Sequence, residues 1–278
     1  MSNPISKEEK FEANREGWDE MTLVHVESEF YDIAGFLKGN STLHDFEPDE
    51  LGSVEGCSLL HLQCHFGLDT LSWARRGARV TGVDFSPNSI AAAKSLAERA
   101  GIEASFVEGN VYNAREMFPT PFDVVYTGIG ALNWLPDIPE WSRVVSSLIK
   151  PGGRFYLLEI HPILSMLDDE DIVFNPAWPY FHNPSGIEFE DDGDYADPSA
   201  KLTKRKMFEW SHHLGEVVSS LLDQGLELKF LHEHDVLAYK PWPFLEQTAP
   251  GTTRFKVPEG KPQIPLEYSL LATKPGGG

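Results

Sequence analysis

Between residues 58 and 160, short apolar runs alternate without a break with helical segments of ten or so residues. Residues 58–63 are an apolar run. Residues 68–76 read as a helix that ends near Gly77, and 78–83 as a second strand rich in β-branched residues. Pro87 stands at a first helical position behind Ser86, a good N-cap, and the helix over 88–100 closes at Gly101. Residues 104–108 and 122–127 read as strands. Residues 138–149 read as a helix closed by Lys150-Pro151-Gly152-Gly153, and 154–160 as a fifth strand. Strands joined by helices of this length cross over and pair in parallel, which predicts a doubly wound α/β sheet. The rhythm resumes with a helix over 213–224, stopped by Gly225, and strands at 227–233 and 267–273.

Two stretches stand outside the rhythm. Residues 8–50 are mixed and helix-like, with Trp18, Met21, Val24, Phe30 and Tyr31 at roughly helical spacing. Residues 161–211 lack periodicity. They carry prolines, acidic runs at 168–171 and 188–194, and the aromatics Phe174, Trp178, Tyr180, Phe181 and Tyr195. Fifty residues exceed an ordinary connection, and the aromatics argue against plain disorder, so an inserted cap is expected. Residues 241–265 read as a proline-punctuated loop.

Charge narrows the partners. The 278 residues hold 43 Asp plus Glu against 23 Lys plus Arg, a formal net charge of −20. A protein that neutralises phosphates needs the opposite balance, so neither nucleic acid nor an anionic membrane is expected as a partner. The basic cluster Lys201, Lys204, Arg205, Lys206 reads as a solvated loop. Cys57 and Cys64 cannot build a disulfide framework. The first twelve residues lack the apolar segment of a secretory signal, and no run approaches the roughly 18 apolar residues of a spanning helix. A soluble, cytoplasmic protein is expected.

The chemistry concentrates in LLHLQCHFGLDTLSWARRGARVTG, residues 59–82. A buried strand ends, a tight turn follows, and Gly67 stands where the next helix starts. Helix N-termini expose free N–H groups that suit carboxylates or phosphates. Asp84 ends the next strand, 21 residues after Gln63. A carboxylate there can accept both hydroxyls of a ribose side by side. Phe85 could pack on an adenine face. The turn carries Gln63, His65 and Phe66 where a pyrophosphate would need glycines, which counts against NAD.

Residues 58–160 resemble the core of a class I S-adenosylmethionine-dependent methyltransferase. GVDFSPNSIAAAK (82–94) is close to the family's second motif, with Asp84 toward the ribose. VEGNVYN (107–113) matches the third-strand motif, where Asn110 and Val111 would meet the adenine. FDVVYTGIGALNWLPD (122–137) matches the fourth-strand segment beside the methionine part, and LIKPGGRFYLLE (148–159) the motif before the fifth strand. The first motif, normally an acid followed by GxGxG, departs: its letters are His61, Gln63, His65 and Gly67. Gln63 and His65 must therefore either adopt positive φ or shape a different loop. A neutral His61 could accept one hydrogen bond but supplies no negative charge.

The resemblance implies a Rossmann-like sheet of about seven strands ending in a reversed hairpin, with a helical N-terminal lid. It divides the chain into a lid segment (1–50), a cofactor-binding core (51–160), the cap (161–211) and a C-terminal completion of the sheet (212–278). It implies S-adenosyl-L-methionine as cofactor, S-adenosyl-L-homocysteine as product, and contacts from Gln63, Cys64, His65, Gly67, Asp84, Phe85, Asn110, Val111, Thr127 and Gly128. The acceptor is expected to be a small molecule. Methyl transfer needs in-line positioning and exclusion of water, and a general base only for an acceptor protonated at neutral pH. His161, at the carboxyl end of the fifth strand, is the candidate base. Trp18, Tyr31, Trp134, His161 and His212 are candidates for the substrate pocket. Glu159 stands beside His161 as a tuning or salt-bridged carboxylate. His232 and His234 share one strand face without a third ligand, so no metal site is expected. Two other readings stay open: a catalytically inactive module that binds S-adenosylmethionine or S-adenosylhomocysteine, and a protein methyltransferase acting on a basic partner.

Overall fold

A computed structural model describes residues 5–167, 176–249, 252 and 254–276. The acidic run at 168–171 and Phe174 lie outside the described residues.

The chain opens with α1 (Lys7–His25), α2 (Ile33–Leu37) and α3 (Glu47–Leu51), then alternates β1 (Ser58–Leu62), α4 (Leu68–Arg75), β2 (Arg79–Asp84), α5 (Pro87–Ala100), β3 (Ser105–Glu108), α6 (Ala114–Met117), β4 (Phe122–Thr127), α7 (Ile138–Leu148) and β5 (Ile149–Ile160). A hairpin of β6 (Ile187–Glu190) and β7 (Lys206–Glu209) follows, then α8 (Leu214–Asp223) and β8 (Glu227–His234). A two-residue pair, β9 (Glu246–Gln247) and β10 (Phe255–Lys256), precedes β11 (Glu267–Thr273). Seven strands make one sheet in the order β3-β2-β1-β4-β5-β11-β8. The first five are mutually parallel; β11 runs antiparallel to both β5 and β8. The expected alternation and the reversed final hairpin are both present.

Strand alternation sorts the two cores. On one face Leu60 and Leu62 join Val125, Leu157 and Trp141 of α7; on the other Leu59 joins Trp73 of α4, Val80, Tyr126 and Tyr156. All are buried, as parallel strands covered on both faces require. Ser86 caps α5 as expected, its hydroxyl accepting from the Ser89 N–H at 3.0 Å, and Gly101 ends the helix at φ 65°.

Three local expectations need correction. β5 begins at Ile149, not residue 154, because the Pro-Gly-Gly stretch bulges and stays paired: Gly152, at φ 78°, donates its N–H to the Lys274 carbonyl at 2.9 Å. Residues 161–211 contain the β6–β7 hairpin, whose strands are too short to stand out as periodicity. The loop over 241–265 contains the β9–β10 pair, and Trp242 and Leu245 bury against Leu164, Leu237 and Leu266.

The N-terminal helix is tied down by its own side chains, which reach residues far along the sequence. Asn14, fully buried, pairs with the Phe208 backbone like a neighbouring strand: its Nδ2 donates to the carbonyl and its Oδ1 accepts the N–H, both at 2.7 Å. The Glu20 carboxylate accepts the N–H groups of Thr203 and Lys204. Toward the sheet, Asp19 accepts the Ser86 hydroxyl and the Asn88 N–H, each at 2.8 Å, at the start of α5.

Candidate functional site

The turn after β1 is built against the preferences of its own residues. Gln63 sits at φ 56° and His65 at φ 50°, followed by Gly67 at 82°. The left-handed conformation costs about 1–2 kcal/mol for each side-chain-bearing residue. Tertiary hydrogen bonds offset it. Cys64 N–H reaches the Val83 carbonyl at 2.9 Å, His65 N–H the Asp84 Oδ2 at 2.8 Å, and Gln63 Nε2 the Ala131 carbonyl at 2.9 Å. Of the two alternatives in the sequence, the structure takes positive φ. A Cβ on Gly67 would stand 2.7 Å from the Phe106 ring, so this glycine is required for space as well as for φ.

Asp84 closes β2 beside that turn. Its Oδ2 accepts from His65 N–H and its Oδ1 from Ser86 N–H at 3.0 Å. Each oxygen keeps a further lone pair. The side chain is buried, and burial outweighs these hydrogen bonds, pushing its pKa up to about 6. On the far side, Glu159 at the end of β5 does not partner His161. Its two oxygens accept the N–H groups of Gly130, Ala131 and Leu132 at 2.6–2.8 Å and fix the loop after β4.

Together these loops line one side of a pocket at the carboxyl ends of β1, β2 and β4. Gln63, His65, Asp84, Phe85, Asn110 and Val111 contribute from the sheet side. Trp18, Tyr31 and Trp134 line it as well, joined by the cap's Tyr195 and by Phe11 and Leu135, which local sequence did not single out. The space, open mouth and adjoining solvent included, is ≈ 740 Å³. Gln63 Oε1 is shut away from water and has no hydrogen-bond partner among the described residues. An acceptor left unpaired beside a pocket suits a ligand that brings a donor.

Other candidates fall elsewhere. Cys64 packs in the apolar cluster of Phe36, Phe66 and Leu71, and Gly67 shapes the turn from behind. Thr127 ends β4 and Gly128 follows it, but neither lines the pocket; the Thr127 hydroxyl is buried without a hydrogen bond among the described residues. His61 points away from it, its Nδ1 2.8 Å from the Thr70 hydroxyl, and burial lowers its pKa to about 3, so it is neutral. His161 is corrected as the candidate base. It is buried, with Nε2 2.9 Å from Glu233, Nδ1 accepting the Ile163 N–H at 3.2 Å, and no place on the pocket wall. His212 is also corrected: it bonds the Leu135 carbonyl from behind, at 2.6 Å. His232 and His234 do not act together; the first meets Glu50 and the second Ser269. No metal set was expected, yet among the described residues His182, His212 and Glu216 converge.

A buried chain of polar groups leads to the pocket. Asp194 Oδ2 lies 3.0 Å from His25 Nε2, and His25 Nδ1 lies 3.1 Å from His65 Nε2. The side chains of His25 and Asp194 are fully buried. A carboxylate only accepts, so His25 carries a proton on Nε2, and in the neutral ring Nδ1 is the acceptor. His65 then donates from Nε2, which leaves its Nδ1 as the free acceptor. Burial, with His25 and His61 beside it, holds the His65 pKa well below the ordinary value. Trp18 brackets the pair, its ring edge-on to His25 and His65 at 5.9 and 5.4 Å, and to Trp134 at 5.3 Å. The hydroxyls of Tyr31 and Tyr195 hydrogen-bond to each other over the same site.

Residues 60–155 match the family described as "Methyltransferase domain". Over these residues the chain is similar to a methyltransferase domain. A ubiquinone biosynthesis O-methyltransferase of Aeromonas salmonicida is 30% identical over 143 residues, 49% of this chain and 58% of that protein. Its counterpart in Pseudomonas aeruginosa strain UCBPP-PA14 is 31% identical over 125 residues, 43% of this chain and 53% of that one. The chain thus spans little more than half the length of these relatives. Among solved structures, an S-adenosylmethionine-dependent methyltransferase of Mesorhizobium loti superposes with a TM-score of 0.56 at 20% identity, over 85% of this chain and 99% of that one. Geranyl diphosphate C-methyltransferase of Streptomyces coelicolor, solved with Mg²⁺, geranyl diphosphate and S-adenosyl-L-homocysteine, gives 0.51 at 13% identity, over 83% and 77%. The fold is that of class I S-adenosylmethionine-dependent methyltransferases. Among the described residues, no helix is long and apolar enough to cross a membrane.

Proposed function

We propose that the protein transfers a methyl group from S-adenosyl-L-methionine to a hydroxyl of a small molecule, with S-adenosyl-L-homocysteine as product. The observation that carries this reading is the pocket between Asp84 and His65, on a methyltransferase core. The residues present fit the cofactor. Asp84 offers two remaining acceptor positions to the ribose hydroxyls, Phe85 and Val111 offer apolar faces to the adenine, and the unpaired Gln63 Oε1 suits an ammonium donor. The cofactor supplies an activated methyl on a sulfonium.

The chain supplies positioning, dryness and a proton acceptor. Helix α1, the turn that follows it and the 176–211 segment serve as lid and cap, bringing Trp18, Tyr31 and Tyr195 over the pocket to exclude water. A hydroxyl is a poor nucleophile until it loses its proton. His65 is neutral, lines the pocket and keeps Nδ1 free to take that proton. His25 and Asp194 fix its tautomer and ring orientation. The names of the curated relatives, O-methyltransferases, agree with a hydroxyl acceptor. The net charge of −20 agrees with an acceptor other than nucleic acid.

The test is methyl-labelled S-adenosylmethionine with a panel of phenols, catechols, aliphatic alcohols and amines, on wild type and His65→Asn. Asparagine tolerates the left-handed φ, so the turn survives. Label in a hydroxyl compound, with kcat at pH 7 lowered about 100-fold or more by His65→Asn and S-adenosylhomocysteine binding retained, supports the reading. Cofactor binding without transfer to any acceptor would make the protein a binding module. Label in a basic protein instead of a small molecule would make it a protein methyltransferase.

A further inference from the structure

The convergence of His182, His212 and Glu216 is outside the pocket wall and is not used by the chemistry above. His212 stands just before α8, Glu216 lies in its first turn, and His182 comes from the 176–211 segment. One nitrogen or oxygen from each lies within 4.8 Å of the others. The environment is half-buried to buried, with the side chains of His212, Glu216 and His182 exposed by 3%, 17% and 23%.

The protons do not close around these three groups. His212 Nε2 is 2.6 Å from the Leu135 carbonyl, which only accepts, so the ring's proton is on Nε2. The lone pair of a neutral His212 then points from Nδ1 at Glu216 Oε2, 3.1 Å away, acceptor against acceptor. His182 Nδ1 is buried without a hydrogen bond among the described residues, 4.0 Å from the other carboxylate oxygen. The two imidazoles stack, centroids 5.1 Å apart and 20° from parallel. A second proton on His212 would satisfy one carboxylate oxygen and leave His182 unpaired. One cation between the three donors satisfies them all. His213 does not compete, because its Nδ1 accepts the Glu216 N–H at 3.1 Å.

We propose that His182 Nδ1, His212 Nδ1 and the Glu216 carboxylate bind one divalent cation of the zinc class. Two imidazoles and one carboxylate suit Zn²⁺, whereas Mg²⁺ and Ca²⁺ take oxygen ligands. The Leu135 carbonyl orients the His212 ring, as partners of metal-bound histidines do. Ligands around Zn²⁺ stand about 3.3 Å apart, so His182 moves inward on binding, and water completes the tetrahedron. The cation clips the cap to α8. Through Leu135, which lines the pocket, it also holds the pocket's wall. The assignment is independent of the methyl acceptor and of the cofactor.

The experiment uses the tag-free full chain, stripped with a chelator and titrated with Zn²⁺ against a chromophoric competitor, and with Co²⁺ as a spectroscopic probe. Wild type, His182→Ala, Glu216→Gln and the control His232→Ala are compared, with thermal melting of each. One Zn²⁺ per chain, a tetrahedral Co²⁺ absorption, an affinity at least tenfold weaker in His182→Ala and Glu216→Gln but not in His232→Ala, and a zinc-dependent rise in melting temperature lost in the same two variants support the site. Absence of stoichiometric binding, or binding indifferent to His182→Ala and Glu216→Gln, overturns it and leaves His212 and Glu216 as a simple ion pair.

Discussion

The pocket has two walls made in different ways. The sheet-side wall, from Gln63 to Gly67 with Asp84 and the 130–132 loop, is held by backbone N–H groups given to carboxylates one or two elements away. The outer wall, from α1 and the 176–211 segment, is held by side chains meeting residues some 170 to 194 positions distant, such as His25 with Asp194 and Asn14 with Phe208. The first wall belongs to the fold and is present before any cap is added. The second is attached to it, so it should loosen without unfolding the sheet.

That contrast can be broken from either side. Glu159→Ala has the largest expected effect: it strips buried N–H groups of their acceptor and should cost about 3 kcal/mol or more of stability, read by chemical denaturation. Gly67→Ala forces a Cβ into the Phe106 ring and should cost about 2–3 kcal/mol, read the same way, with cofactor binding weakened as well. Asn14→Ala leaves the buried Phe208 N–H and carbonyl unpaired, about 2 kcal/mol. Its mark should be faster proteolysis within 176–211 while the sheet stays protected from hydrogen exchange; equal loss in both regions would make the walls one unit. Asp84→Ala should weaken S-adenosylhomocysteine binding tenfold or more, about 1.4 kcal/mol, and lower stability as well, because the His65 and Ser86 N–H groups lose their acceptor.

The smallest effect sharpens the role of Asp84. Its folded pKa is raised to about 6, and the ribose hydroxyls need the ionised form. Affinity should therefore be at its plateau above that pKa and fall as pH drops through it, by about fourfold at pH 5.5. A flat profile in Asp84→Ala would assign the dependence to this carboxylate.

The same contrast explains what was legible in the sequence. Most strand and helix limits from residue 58 to 148 follow from local pattern, caps and glycines, the start of β5 being misplaced, and Phe122–Thr127 and Glu267–Thr273 have the bounds that pattern predicts. Asp84, Phe85, Asn110 and Val111 line the pocket because a βα unit places residues at strand ends regardless of what covers them. Tyr195, Asp194 and His25 were not assembled into a site. Their meeting depends on how a segment without periodicity docks on α1, which no local spacing encodes. His161 illustrates the converse: it stands at a strand end as expected, but Glu233 of β8, two strands away, claims its ring.

The most direct measurement is a calorimetric titration of the wild-type chain at pH 7.5 with S-adenosyl-L-homocysteine and, separately, with NAD. A pocket built on Asp84 and a turn without phosphate-binding glycines should bind S-adenosylhomocysteine one to one and leave NAD without measurable heat. Binding of NAD, or binding of neither ligand, would contradict the assignment of this pocket to the methyl donor.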